Sequence, residues 1–184
     1  MNLIEEMQKA SGRSPVEKVD PNTQKPPDET SGSKSLLPQA VIPISLLGLY
    51  HFSKVEKNAQ ELVVNNSNEY HDWKNKLYGN HSDEVAQHVA DYTHTTREYA
   101  GQALNHVTNL AVKVINGSLG NKATGKSIAH ILEDNRSNIL THLPATLRIG
   151  SIVGDTTIDD STNKMDGPMS NLMHFFERIF SSSK

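Results

Sequence analysis

The chain has 184 residues, 35% of them hydrophobic, and a net charge of −3 from 18 basic and 21 acidic side chains; it has no cysteine. That length fits one domain with tails, and the missing cysteine excludes disulfides, thiolate nucleophiles and cysteine-bound metal. The two signs of charge are interspersed, without the basic excess or stripe of a nucleic-acid surface.

The opening MNLIEEMQKA places acidic residues where an export signal needs basic ones followed by an apolar run, so it does not read as a signal peptide. Ser11 to Ser35 contains four of the eight prolines (Pro15, Pro21, Pro26 and Pro27), no aromatic residue and little aliphatic bulk. Such a composition cannot offset its ordering entropy, so residues 1–35 are expected to be an N-terminal segment and a disordered linker. Leu36 to Phe52 reads as an apolar helix with a proline in its first turns. Its apolar stretch Ala40–Tyr50, interrupted by Pro43 and Gly48, is shorter than the roughly 20 residues of a bilayer span. A soluble, cytoplasmic protein without a transmembrane segment is the expectation.

Asn58 to Val64 and Tyr70 to Tyr78 read as shorter helices. Ser82 can cap a helix with Asp83 and Glu84 in its first turn, where they face the positive end of the dipole. Val85, Val89 and Tyr92 mark its buried face, and Thr93-His94 is the turn that ends it. The strongest element follows. Thr95-Thr96-Arg97-Glu98 fits a capping box, in which the threonine hydroxyl accepts from the Glu98 amide. Tyr99, Ala100, Ala103, Leu104, Val107, Leu110, Ala111, Val114 and Ile115 then recur at steps of three and four, predicting one long helix from about Thr96 to Ile115. Asn116-Gly117 is expected to end it. Thr124 caps a segment with Ile128, Ile131 and Leu132 on one face, and Arg136 to Leu143 forms a short helix closed by Pro144. No segment shows sustained two-residue alternation, so strands are not expected.

Gly150 to Gly167 reads as a polar linker. It leads to an amphipathic C-terminal helix with Met169, Leu172, Met173, Phe176, Ile179 and Phe180 on one face. That face is the candidate interaction surface: it docks on the domain, self-associates, or meets a partner helix or a membrane surface. Its polar side lacks the basic cluster that peripheral anchors favour.

Gly120-Asn121-Lys122-Ala123-Thr124-Gly125-Lys126-Ser127 matches the phosphate-loop pattern G-x-x-x-x-G-K-[ST] in full. In a working loop the backbone amides cradle phosphates, the lysine reaches the β- and γ-phosphates and the serine holds Mg²⁺. The pattern needs a buried strand before it. Here Val112 to Ile115 continue the long helix instead, and too few residues follow Ser127 for the remaining strand–helix units. Nucleotide binding through Gly120, Gly125, Lys126 and Ser127 is therefore the alternative reading, and a helix-capping turn the leading one. No cofactor is expected. Of the nine histidines (His51, His71, His81, His88, His94, His106, His130, His142 and His174), none forms H-E-x-x-H and no pair lies four apart on one helix face. His81, His88 and His94 could converge but lack an obvious carboxylate partner, and no metal site is expected. No catalytic Ser/His/Asp set stands out, so the chain is not expected to be an enzyme.

The rhythm of Ser82 to Asn116 looks like the opening two helices of the bacterial histone-like HU proteins. The strands and basic arms of that family have no counterpart here, so nucleic acid is not an expected partner. Taken in order, a larger set of segments resembles the YidB-like family, a bacterial helical domain of unknown function. The resemblance runs from Leu36-Leu37-Pro38 and Gly48-Leu49, through Leu77-Tyr78-Gly79, Ser82 to Tyr92 and the long helix, to Thr124-Gly125 with Ile128 to Leu132. It continues with Ser137-Asn138-Ile139-Leu140, Leu143-Pro144-Ala145 and Ile149-Gly150-Ser151-Ile152-Val153-Gly154. The chain departs from the family at Leu104-Asn105, where relatives often carry leucine-proline.

The resemblance implies a multihelical domain without a known catalytic centre. Some relatives are fused to a peptidoglycan-binding module, so envelope association is an analogy only. The expected organisation is an all-α single domain over residues 36–154, then a linker and amphipathic helix over 155–184. The expected function is non-enzymatic, through an unidentified protein partner or self-association.

Overall fold

The computed structural model of the chain describes residues 1–19, 33–64 and 70–153. Every regular element among them is helical, as the periodicities predict. In chain order these are α1 (Leu3–Ser11), α2 (Ser33–Ser53), α3 (Glu56–Val64), α4 (Trp73–Tyr78), α5 (Ser82–Thr93), α6 (Arg97–Leu119), α7 (Gly125–Asp134), α8 (Arg136–Thr141) and the single turn α9 (Gly150–Val153). The expected C-terminal helix with Met169, Leu172, Met173, Phe176, Ile179 and Phe180 lies outside the described residues, as do residues 20–32 of the expected linker.

α2 is the axis of the body. Its residues from Leu36 to Tyr50 are buried without interruption, as a helix apolar on all sides must be. The apolar window is longer than the sequence reading allowed. Leu36–Ser53 is long and apolar enough to cross a membrane by length and composition, and 89% of it is buried inside the protein. α6 packs along α2 and also against α5 and α1, while α3 packs on α7. The broad stripe on α6 serves this two-sided packing, with Leu104, Val107 and Ala111 at 0% exposure.

The two prolines of α2 sit at positions 38 and 43 inside the helix. Gly48, further along, allows a close approach. The Tyr78 hydroxyl donates to the Ile44 carbonyl at 2.9 Å, and a Cβ on Gly48 would stand 2.5 Å from the Tyr78 hydroxyl oxygen.

Several boundaries differ from the sequence reading. α6 does not stop at Asn116-Gly117 but continues to Leu119. The Asn116 side chain is turned inward, donating to the Val112 and Leu62 carbonyls at 2.8 and 3.0 Å, and Gly120, at the positive φ of 54°, ends the helix. The N-cap of α6 is Thr96, accepting from the Tyr99 amide at 3.3 Å, one residue later than the expected box. Thr95 instead bonds the Thr93 hydroxyl at 2.8 Å. Ser82 is the first residue of α5 rather than its cap; the cap position is His81, whose side chain makes no capping bond to the backbone. The start of the expected linker Gly150–Gly167 is helical, with Ile149 and Gly150 buried.

The N-terminal segment, for which no helix was expected, forms α1. Leu3, Ile4 and Met7 form the apolar side of α1 and are buried in the core. Asn2 caps the helix, accepting from the Ile4 amide at 3.1 Å. The Leu3 amide donates to Asn135 Oδ1 at 2.9 Å, and Asn138 Nδ2 donates to Asn2 Oδ1 at 2.6 Å. Residues 12–19 then run as a non-helical strap with Val16 buried.

Buried amide side chains fasten the non-helical backbone to the helices. Gln39 on α2 accepts from the Glu17 amide and donates to the Glu17 carbonyl, both at 2.9 Å, and donates to the His142 carbonyl at 2.7 Å. Asn109 on α6 treats His71 the same way: it accepts from the amide at 3.1 Å, donates to the carbonyl at 2.8 Å, and donates to the Asn105 carbonyl at 2.8 Å. Each amide uses both donors and its acceptor, and each satisfies both peptide groups of a residue that no helix serves.

Candidate functional site

The phosphate-loop pattern resolves into a joint between helices. Val112 to Ile115 lie within α6, so the residues before Gly120 supply helix where a phosphate loop needs a strand. Four residues of the motif have structural roles within the protein. Gly120 takes the positive φ that ends α6. Thr124 and Ser127 form a capping box on α7, with the Ser127 amide donating to Thr124 Oγ1 at 3.1 Å and the Thr124 amide to Ser127 Oγ at 2.8 Å. Gly125 is where α7 meets α3: its amide donates to Gln60 Oε1 at 3.3 Å, and a Cβ there would stand 2.8 Å from the Gln60 backbone nitrogen. Lys126 is exposed. The Thr124, Gly125 and Ser127 amides and the Ser127 hydroxyl are thus engaged within the protein.

The histidines are spread over the surface and the core. His81 does have a carboxylate partner, Glu84, at 2.8 Å, which the sequence reading missed although the residues are one helical turn apart. His88 Nδ1 bonds the Leu147 carbonyl at 2.8 Å, and His94 is exposed in the left-handed turn after α5. The three do not share a site: no group of three potential metal ligands occurs among the described residues. His142, buried, bonds the Asn138 carbonyl at 2.7 Å.

The surface feature that sequence reasoning did not find is an open groove of about 450 Å³ where α4 and α5 meet α6. Gly101 and Ala86 form its floor. Asn105 Oδ1, at its base, accepts from the Lys74 amide at 3.1 Å and so fixes the start of α4 on α6. The Lys74 stem crosses the floor to reach Asp83 at 3.2 Å. Arg97 and Glu98 lie on the rim, 3.6 Å apart, with Asp72 and an exposed Tyr70 opposite. Adjacent charges of both signs held in water interact weakly. The groove therefore presents a mixed polar rim over a small-residue floor. Its residues on the second and third turns of α6, Gly101, Gln102 and Asn105, are small or polar, a pattern that propensity alone does not distinguish from a solvated face.

The arrangement defines an all-helical protein with an axial apolar helix. The chain matches no family model, no curated protein and no solved structure.

Proposed function

We propose that the chain is a cytoplasmic, non-enzymatic helical interaction domain of the kind the YidB-like resemblance implies. The observation that carries this reading is the groove at α4, α5 and α6. It is open, floored by Gly101 and Ala86, and rimmed by Lys74, Arg97, Asp72, Asp83, Glu98 and the exposed Tyr70. A shallow floor between side chains of both signs suits the backbone and alternating charges of a polypeptide, with tyrosine as an amphipathic contact. Mixed charge also offers a polyanion no continuous attractive surface. The C-terminal Met/Phe segment remains a second contact surface on this reading.

A photo-crosslinking residue at Gln102, on the groove, tests it. The expected result is one polypeptide adduct of defined mass, reduced at least tenfold by Lys74→Glu with Arg97→Glu. Loss of that adduct on deleting Gly167–Lys184 would identify this segment as the contact. No adduct, or one indifferent to the charge reversals, contradicts the proposal. Calorimetry with Mg-ATP and Mg-GTP, beside Lys126→Ala, addresses the nucleotide alternative: saturable binding abolished by that change would replace the present reading.

A further inference from the structure

A second surface, on a different part of the body and independent of the groove, has the features of a strand-recognition site. The strap Val16–Val19 lies in a cleft between α1, the first half of α2 and the end of α8. Among the described residues four hydrogen bonds hold it, all to its backbone. Gln8 Nε2 donates to the Val16 carbonyl at 3.0 Å, Gln39 pairs with both the amide and the carbonyl of Glu17, and the Val19 amide donates to the Thr141 carbonyl at 2.9 Å. One side chain is an anchor: Val16 is 5% exposed, while Lys18 is exposed and Val19 half-buried. Main-chain bonds supplying affinity, with a single pocket supplying selectivity, is how proteins take up extended peptides.

The cleft does not demand the strap's own sequence. Its backbone bonds are available to any extended strand, and the pocket asks only for an aliphatic residue. One position is even poorly matched: Glu17 Oε2 is buried without a hydrogen-bond partner, and a carboxylate oxygen so placed opposes docking. The seat itself does not depend on the strap. Gln39 is fixed by its bond to the His142 carbonyl, and α1 is held separately by Leu3, Ile4 and Met7. The strap begins at Gly12, in the left-handed conformation.

We propose that the cleft formed by Gln8, Gln39, Thr141 and His142 is a receptor site for an extended polypeptide strand carrying an aliphatic anchor, and that residues Val16–Val19 occupy it in cis. The strap then competes with the partner strand. An uncharged residue after the anchor binds better than the chain's own glutamate.

The test uses the full-length chain and a fluorescently labelled peptide of residues Arg13–Val19, read by anisotropy. Val16→Asp with Glu17→Pro removes the anchor and one clamp bond and so releases the strap while keeping α1. This variant should bind the peptide at least tenfold more tightly than the unaltered chain. Binding should be lost when the peptide carries Asp at the Val16 position or when Gln39→Leu is added to the protein, and should strengthen with Gln at the Glu17 position. Val19→Pro alone, which removes only the bond to Thr141, serves if the double variant does not fold; it should gain several-fold. A heterodimer on mixing the released variant with the unaltered chain also supports the site, with a second copy supplying the strand. Equal affinity for released and unaltered chains, no binding to a folded released variant, or indifference to Asp in the peptide overturns the proposal. None of these outcomes bears on the Gln102 adduct.

Discussion

His71 and Glu17 are held by the same chemistry at two places in the molecule, and the two places differ in everything around them. Asn109 clamps a segment that turns at once into α4, with Asp72 as the cap and Trp73, at 0% exposure, as the anchor. Gln39 clamps a strap anchored by one valine and carrying a buried, unpartnered carboxylate oxygen. Trp73 Nε1 is also buried without a hydrogen-bond partner, but an unpartnered indole N–H costs less than an unpartnered carboxylate oxygen. An identical set of hydrogen bonds can therefore fix one segment and merely hold another. The bonds specify which backbone sits where, and the apolar anchor beside them decides how firmly.

Four measurements can break or sharpen that contrast. Removing the stronger anchor has the largest effect: Trp73→Ala, which also loses the edge contact with Phe52 at 6.0 Å, should lower global stability by roughly 3–5 kcal/mol in urea unfolding. Asn109→Leu leaves both peptide groups of His71 without partners in a place they cannot easily leave. It should cost about 2–4 kcal/mol with an unchanged denaturant slope.

The α4 side should also respond to alkali. Burial pushes the Tyr78 phenol well above its usual pKa of 10, so above that pH the unfolded chain releases a proton that the native state retains. Stability then falls as pH rises, by about 1.4 kcal/mol per pH unit from this group, and Tyr78→Phe should remove that component. Gln39→Leu should have the smallest global effect, about 1–2 kcal/mol, because the strap can detach and hydrate its own peptide groups. Equal losses for Gln39→Leu and Asn109→Leu would erase the distinction.

The helices were legible because their apolar spacing states their period. Leu104, Val107, Ala111 and Ile115 mark α6 without help from the fold, and the same regularity ruled out a strand before Gly120. What escaped notice depended on tertiary partners. Leu3, Ile4 and Met7 are too few to signal a helix alone; α1 exists because Asn135 and Asn138 meet its N-terminus. Val16 and Val19 sit among prolines and charges, so composition hid a strap whose order comes from Gln39 and Thr141.

Asn116-Gly117 has the local chemistry of a helix end, yet the helix continues because the Asn116 amide is needed by the Leu62 carbonyl. The motif at Gly120–Ser127 fits for an opposite reason. Its glycines and serine are those that a helix stop, a close helix crossing and a capping box each require, and their combination imitates a phosphate loop. The groove was illegible because its residues come from three helices and no single stretch of sequence shows it.

Native-state hydrogen exchange compares the two clamps inside one molecule and tests their difference most directly. The Glu17 and Val19 amides should exchange by local opening, insensitive to low urea and at least about 100-fold faster than the His71 and Lys74 amides relative to their intrinsic rates. The His71 and Lys74 amides should follow global unfolding. Equal protection at both clamps, with one shared urea dependence, would contradict a releasable strap on a fixed helical body.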